Sequence, residues 1–440
     1  MTTATAERSE RRVSRIVIAA GLIAVGTVAV GLYGRLANGK YGTVSAPFVM
    51  GWLPRVDPAG FLVALLGCAA VVILGRRIIG AGWSPPVVAV ALYALTLAAG
   101  LALNVARDGI HGWYEIYDLA GGTAQGHAIN EYLPGLPTLE DGIPNYLDRF
   151  AEVVPSQSVN VAGHPPGPLL LAHLLGVSTA QGLAALVIAI GSLCAPLTYR
   201  LGWTLSGDER TGRIAGVLCL ASPLVLLFGV TSFDYAFAAF AAAAACGLVA
   251  RRRRWQLFGL VALAVASLMS WALLAVGAWA VFVRWRRDGF RDAVRTGVLS
   301  GVAVGLLQGG LAARYGYDPI GTLRATEQVY RDSLARVRPY RFWVFGSPVA
   351  WGLMLGPLIV AAVIRAASAR TAAGLAIVAV VLIAAIGGFT KAETERIWLY
   401  LVPLACAAAA PYVPVRRLTL VMVALVAQAL VVQLLFNTVW

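Results

Sequence analysis

Charged residues are scarce in this chain: Asp, Glu, Lys and Arg make up 13% of its 440 residues, whereas 59% are hydrophobic. Soluble domains carry about a quarter charged residues. The shortage therefore excludes a soluble globular enzyme and a disordered chain. Cysteine is scarce as well, and the five that occur lie inside apolar runs without the spacing of a zinc site. A disulfide scaffold and a metal knuckle are excluded too, and no glycine-rich loop for a nucleotide phosphate is present.

The chain does contain many long apolar runs, separated by short basic clusters. A membrane-spanning helix needs roughly 20 apolar residues, and fewer where it is broken or shielded by neighbours. The runs predict an all-α, polytopic membrane bundle of about thirteen transmembrane helices in a single domain over 1–440. The predicted spans are 15–35, 58–75, 84–104, 178–199, 213–230, 235–250, 256–269, 271–284, 296–313, 349–365, 371–388, 397–411 and 418–437. The polar, basic leader before the first run predicts an uncleaved anchor.

The net charge of +14 does not indicate nucleic-acid binding, because the basic residues lie between the apolar runs rather than on one amphipathic face. Most of the 35 Lys and Arg residues fall on one side of the bundle when the N-terminus is placed in the cytoplasm. This is the positive-inside pattern of a multi-pass protein of the cell membrane. It predicts an extracytoplasmic loop at 105–165 and a second one at 314–348.

The loop at 105–165 carries eight acidic residues against two arginines. Within it, the stretch PNYLDRF and the residues after it place Tyr146, Leu147, Phe150 and Val154 on one face. The spacing predicts a short interfacial amphipathic helix. The loop ends at His164 in GHPPGP, where two prolines predict an extended approach to the next apolar segment.

A second group of charges lies late in the chain, at the outer end of a span. Charge this close to the hydrocarbon is costly unless it is paired or functional. Lys391 and Glu395 are four residues apart, which allows a salt bridge on one helical turn. The planar guanidinium of Arg396 suits a phosphate. The other candidate binding residues are Glu393 in this stretch, Asp234 at the start of a helix that it could also cap, and Arg338 and Arg341 in the second loop.

The elements EYLPGLP, NYLDRF, GHPPGP and TKAETERIW, in this topological order, resemble the GT-C membrane glycosyltransferases. The resemblance is to actinobacterial integral-membrane members and, more remotely, to protein O-mannosyltransferases and aminoarabinose transferases. Two features differ from the family pattern. Two extra spans precede the acidic loop, and the usual Asp-Glu pair is replaced by Asn130-Glu131.

The resemblance implies inverting transfer of a sugar from a polyprenyl-phosphate donor to a glycan, lipid or protein acceptor of the cell envelope, on the extracytoplasmic face, without a cofactor. A carboxylate would take the proton of the acceptor hydroxyl, and cationic groups would hold the leaving lipid phosphate. Glu131 is the first candidate for the base, and Asp108, Asp141 and Asp148 compete with it. Lys391, Arg396 and His164 are the candidates for the phosphate site.

Two other classes of function stay open from the sequence. A transporter or flippase for a lipid-linked or anionic solute predicts charges at mid-span and broken helices. A non-catalytic scaffold for an envelope complex would use the outer loop as a docking surface.

Overall fold

The computed structural model describes residues 3–36, 41–120 and 125–438, so four residues of the predicted acidic loop, 121–124, lie outside the described residues. Within these ranges, regular structure is helical apart from one antiparallel pairing of Gly51–Trp52 with Phe436–Asn437. The all-α prediction is confirmed.

The first half of the chain contains long helices and, between them, the short helices of the acidic loop. Its α-helices are Thr3–Leu36, Pro58–Gly80, Pro85–Asp108, Gly112–Glu115, Gln125–Ala128, Ile143–Val153, Val159–Ala162, Gly167–Leu174, Ala180–Gly191, Cys194–Ser206 and Glu209–Ala221. Its 3-10 turns are Gly109–His111, Leu133–Leu139 and Val154–Ser156.

The second half of the chain alternates spanning helices with shorter ones. Its α-helices are Pro223–Phe228, Asp234–Leu248, Arg253–Met269, Leu274–Asp288, Phe290–Tyr315, Pro319–Asp332, Leu334–Val337, Tyr340–Leu355, Pro357–Ser368, Ala372–Gly387, Thr394–Ile397, Val402–Ala409 and Leu418–Leu435. Its 3-10 turns are Trp271–Leu273, Trp398–Leu401, Ala410–Tyr412 and Val415–Arg417.

Six helical segments of the described residues are long and apolar enough to cross a membrane, which makes this a helical membrane protein. A seventh span results if Tyr340–Leu355 and Pro357–Ser368, which meet at a bend of 110°, are counted as one. The six are Val13–Leu36, Pro58–Gly80, Pro85–Glu115, Ala180–Ser206, Phe290–Tyr315 and Val415–Leu435. The remaining predicted runs form shorter helices, so the number of thirteen spans stays a prediction. The cytoplasmic location of the N-terminus also stays a prediction.

The helix Asp234–Leu248 lies at the centre of the bundle, and thirteen of its fifteen residues are buried. An apolar helix without a polar face is typical of a core element surrounded by protein. Its neighbour Arg253–Met269 approaches closely, because a Cβ on Gly247 would lie 2.4 Å from the Cα of Gly259. Small residues allow such contacts between helices in membranes. The N-terminal end of this core helix presents Asp234 to the charged residues described below.

The amphipathic stretch of the acidic loop forms the helix Ile143–Val153, and its four apolar side chains from Tyr146 to Val154 are buried. The approach to the next helix differs from the prediction. Pro166 has helical backbone angles (φ −67°, ψ −11°), and the helix Gly167–Leu174 follows at once. Pro166 therefore occupies the cap position and Pro168 lies in the first turn, where a missing N–H is tolerated.

The orientation prediction can be tested with cysteine labelling. Asp141 lies in the acidic loop and Arg252 in a predicted inside cluster, and both are exposed. In intact cells, we expect a membrane-impermeant maleimide to label Asp141→Cys and not Arg252→Cys. The wild-type chain is the control, because its five cysteines are buried or partly buried. The reverse labelling pattern would invert the topology.

Candidate active site

Four charged side chains from distant parts of the sequence form one buried chain of ion pairs. Arg396 donates one hydrogen bond to Asp234 (2.7 Å) and another to Glu393 (2.8 Å). The other carboxylate oxygen of Glu393 accepts a short hydrogen bond from Arg338. All four residues are less than a tenth exposed. Burial of this many charges is tolerated only with such pairing, so the two arginines and the two carboxylates fix each other's positions.

The backbone around Glu393 produces this geometry. Ala392 and Glu393 have positive φ values of 66° and 58°, which residues other than glycine rarely adopt. The chain turns there, and the short helix Thr394–Ile397 begins only afterwards. Burial raises the pKa of Glu393, but the charges of Arg396 and Arg338 outweigh that effect and lower it overall.

The predicted salt bridge between Lys391 and Glu395 is wrong, because the two residues do not share a helical turn. The ammonium of Lys391 instead donates to the carbonyl oxygens of Ala335 and Arg338, both at 3.2 Å. Glu395 accepts a hydrogen bond from the backbone N–H of Val49 at 2.7 Å. Lys391 thus has no carboxylate partner in the part of the chain that the structure describes.

Glu131 is the candidate base that the structure brings to the ion-pair chain. Its side chain is buried, and its Oε2 atom has no hydrogen-bond partner among the described residues. Burial raises the pKa of Glu131 to about 7, against an opposing effect of Arg396 and a hydrogen bond from Asn160. The repulsion of Asp234 raises the pKa further. Glu131 therefore lies within electrostatic range of both Arg396 and Asp234.

Glu131 is held by contacts between two parts of the acidic loop. The hydroxyl of Ser158 donates to the Glu131 carbonyl (2.6 Å), and the N–H of Asn160 donates to the Asn130 carbonyl (2.9 Å). The neighbouring ring of Tyr132 packs on Phe233, with centroids 4.5 Å apart. These contacts connect the Glu131 segment to the start of the central helix.

The other three candidate bases lie elsewhere. Asp141 and Asp148 are exposed, and Asp148 lies beside the second loop, where a Cβ on Gly316 would be 2.1 Å from its carboxylate. Asp108 is partly exposed at the end of a spanning helix, 3.9 Å from Arg107. None of the three has a hydrogen bond or ion pair with a member of the buried chain.

Asp234 does not act as the helix cap that the sequence allowed. Phe233 occupies the cap position, and the Asp234 carboxylate accepts hydrogen bonds from Ser232 (2.8 Å) and Arg396. Asp234 still lies in the first turn of the helix, where the helix dipole stabilises a negative charge.

Arg341 is separated from the buried chain. It is exposed and lines an open groove of about 470 Å³ between the first spanning helix and the helix Tyr340–Leu355. The other lining residues are mostly apolar: Ile23, Gly26, Thr27, Val30, Tyr41, Pro339, Phe342 and Phe345. Phe342 also packs in a small apolar cluster with Ala392, next to Glu393. The groove therefore adjoins the charged segment.

Sequence reasoning missed two polar residues of this site, Tyr117 and Asn160. Burial raises the pKa of Tyr117, and so do the nearby charges of Glu131 and Asp234. Its hydroxyl has no hydrogen-bond partner in the described part of the chain. Asn160 could have been found from its position shortly before the HPP motif. Nothing in the sequence distinguishes Tyr117 from the other aromatic residues of the loop.

The arrangement combines a carboxyl group whose pKa is raised to about 7, a buried pair of arginines and a lysine that pairs with no carboxylate of the described residues. Among the described residues, no group of three or more His, Cys, Asp or Glu side chains is placed to hold a metal ion. The fold and the site define a helical membrane protein with a buried polar site at the end of its central helix. No family model, curated protein or solved structure matches the chain significantly.

Proposed function

We propose that the protein is a glycosyltransferase that moves a sugar from a polyprenyl-phosphate donor to a hydroxyl group of a cell-envelope acceptor, on the extracytoplasmic face. The observation that carries this proposal is Glu131, a buried carboxyl group with a pKa of about 7 that lies within electrostatic range of Arg396. Its Oε2 atom has no hydrogen-bond partner among the described residues. A general base works best when its pKa is near the working pH. Perturbed carboxyl groups of this kind cluster at functional sites.

In the proposed reaction, Glu131 removes the proton of the acceptor hydroxyl as its oxygen attacks the anomeric carbon. The bond between that carbon and the phosphate oxygen breaks, and polyprenyl phosphate leaves with the bonding electrons. A single displacement of this kind inverts the anomeric centre. The proton remains on Glu131 until it passes to solvent.

Lys391 is the cation best suited to the leaving phosphate. Arg396 and Arg338 are already paired with carboxylates, so they serve to fix Asp234 and Glu393. Within the described ranges, the ammonium group of Lys391 donates only to carbonyl oxygens, so no carboxylate neutralises its charge there. A cation that meets the growing charge of the phosphate stabilises the transition state.

The groove beside Arg341 suits the polyprenyl chain of the donor. It lies on Val13–Leu36, a candidate span of which only 11% is buried by protein, so its surroundings in the membrane are lipid. Its lining is mostly apolar, and Phe342 connects it to the cluster beside Glu393. A lipid chain in the groove would bring its phosphate towards Lys391.

The direct test is an assay in nanodiscs with radiolabelled sugars on polyprenyl phosphate and a soluble glycan acceptor. We expect labelled acceptor and free polyprenyl phosphate in equal amounts. A protein that inserts normally but consumes none of the common hexose and pentose donors would contradict the proposal.

Filling the groove tests the donor site. Gly26 lines the groove, and a Cβ on it would meet no protein atom within 4 Å, so Gly26→Leu introduces a side chain at the groove wall with an unobstructed Cβ. We expect the KM for the donor to rise about tenfold, which corresponds to about 1.4 kcal/mol, with little change in kcat. Gly21→Leu is the matched control, since Gly21 lies on the same helix, is equally unobstructed and is outside the groove. Equal KM values for the two variants would exclude this groove as the donor site.

A transporter for a lipid-linked or anionic solute is the second candidate. The bend of 110° between Tyr340–Leu355 and Pro357–Ser368 favours it, because broken helices mark the binding sites of many transporters. Reconstituted vesicles distinguish the two functions. A transporter moves the intact lipid-linked sugar across the bilayer, whereas a transferase cleaves it.

A further inference from the structure

His164 has a defined proton position in this structure. Its Nδ1 atom lies 2.7 Å from the carbonyl oxygen of Asn160 and 3.1 Å from the hydroxyl oxygen of Tyr132. A carbonyl oxygen can only accept a hydrogen bond, so Nδ1 must carry the proton. In the neutral ring, the lone pair is then on Nε2.

The surroundings of His164 keep the ring neutral. Burial lowers the pKa of His164 and the charge of Arg396 lowers it too, whereas Asp234 and the Asn160 carbonyl oppose them; the net pKa is below the usual value. The two rings in contact with it, Tyr132 and Phe237, carry no charge. The predicted role as a cation for phosphate therefore does not fit this residue, and Nε2 is a hydrogen-bond acceptor at neutral pH.

His164 lies between the two elements that form the site. The centroid of its ring is 5.0 Å from that of Phe237, which is one turn from Asp234 on the central helix. On the other side is Tyr132, the residue after Glu131. His164 is partly exposed, and within the described ranges its Nε2 atom has no hydrogen-bond partner.

The site therefore contains polar atoms that lack hydrogen-bond partners among the described residues, and those nearest the acidic loop are Oε2 of Glu131, the hydroxyl of Tyr117 and Nε2 of His164. The first two are buried. A buried polar atom without a hydrogen bond destabilises the folded protein unless a ligand supplies that bond. One hydroxyl group carries one proton and can donate to only one of the two acceptor atoms. A ligand with several hydroxyl groups satisfies both.

We propose that the acceptor is a polyhydroxylated ligand, a sugar rather than a simple alcohol, and that Nε2 of His164 accepts a hydrogen bond from one of its non-reacting hydroxyl groups. This inference rests on the proposed function and specifies its acceptor. The attacking hydroxyl gives its proton to Glu131, and the hydroxyl bound to His164 keeps its own. His164 thus orients the acceptor and does not take part in bond breaking.

Two substitutions of His164 distinguish the roles of its two ring nitrogens. The side-chain amide of His164→Asn can donate to the Asn160 carbonyl as Nδ1 does but does not reach the position of Nε2, whereas His164→Gln reaches that position. We expect His164→Asn to fold normally and to lower kcat/KM for octyl glucoside as acceptor about tenfold, the effect of one hydrogen bond, with His164→Gln retaining more activity. If His164 only anchors the loop through Nδ1, the order of the two variants is reversed, and that result would overturn the proposal.

An NMR measurement tests the same residue without turnover. The chain has four histidines, so the ¹⁵N signals of His164 can be assigned by their loss in His164→Asn. At pH 7 we expect the tautomer with the proton on Nδ1, and a shift of the Nε2 signal on adding octyl glucoside but not 1-octanol. A proton on Nε2, or no response to octyl glucoside, would overturn the proposal. A wild-type protein without transferase activity that still shows this shift would contradict only the proposed reaction.

Discussion

Replacing Glu131 by glutamine is expected to lower the rate of sugar transfer about 10²–10⁴-fold, the usual contribution of a general base. Glutamine keeps the size of the side chain and can still bond to Asn160, but it cannot take a proton. The assay is sugar transfer in nanodiscs at matched protein levels. Asp141→Asn and Asp148→Asn serve as comparisons, and we expect near wild-type rates from them because both side chains are exposed.

Although Glu131→Gln is expected to lower activity, we expect it to raise the stability of the protein at high pH. Glu131 has a folded-state pKa of about 7 and an ordinary value of 4.5, so the folded state binds the proton more tightly than the unfolded state. Its contribution to stability is present at low pH and is lost as pH rises through about 7. The difference between the two pKa values corresponds to roughly 3 kcal/mol of folding free energy. We therefore expect Glu131→Gln to be more stable than the wild type at pH 8 and similar to it at pH 5. A variant that loses both stability and activity would show that Glu131 is mainly structural.

Arg396→Met is expected to destabilise the protein by about 3–5 kcal/mol, because it leaves Asp234 and Glu393 buried with one partner removed from each. The measurement is unfolding in mixed detergent, followed by tryptophan fluorescence. Adding Asp234→Asn should restore part of the loss, since Glu393 still pairs with Arg338. The matched control is Arg331→Met, which breaks an exposed pair with Glu327; pairs of that kind contribute at most about 1 kcal/mol. Equal losses in the two arginine variants would contradict the buried ion-pair chain.

The parts of the fold that depend on local pattern could be predicted from the sequence. Apolar runs predicted a helical membrane protein, and the spacing from Tyr146 to Val154 predicted the amphipathic helix. The predicted spans 256–269 and 271–284 are separated at Ser270, and the structure ends one α-helix at Met269 and begins the next at Leu274. Span lengths were less predictable, because a helix buried on all sides by protein can be shorter than the bilayer.

The site depends on contacts between distant parts of the chain, which the sequence does not reveal. Arg396 and Asp234 are 162 positions apart, and nothing in either segment points to the other. The pairing of Lys391 with Glu395 was expected because a helix was assumed. The positive φ values of Ala392 and Glu393 prevent a continuous helix there. Local charge spacing predicted that this segment carries a cluster of charges but not which residues pair.

The pH dependence of kcat/KM for sugar transfer tests most directly whether Glu131 is the base. The pH profile of kcat/KM reports the ionisation of the free enzyme. Because the base must lose its proton before it can act, kcat/KM of the wild type should rise with pH and level off above about 7, the pKa of Glu131. The residual activity of Glu131→Gln should show no such rise. A wild-type profile that is flat from pH 5 to 9, or the same rise in Glu131→Gln, would contradict the proposed role of Glu131.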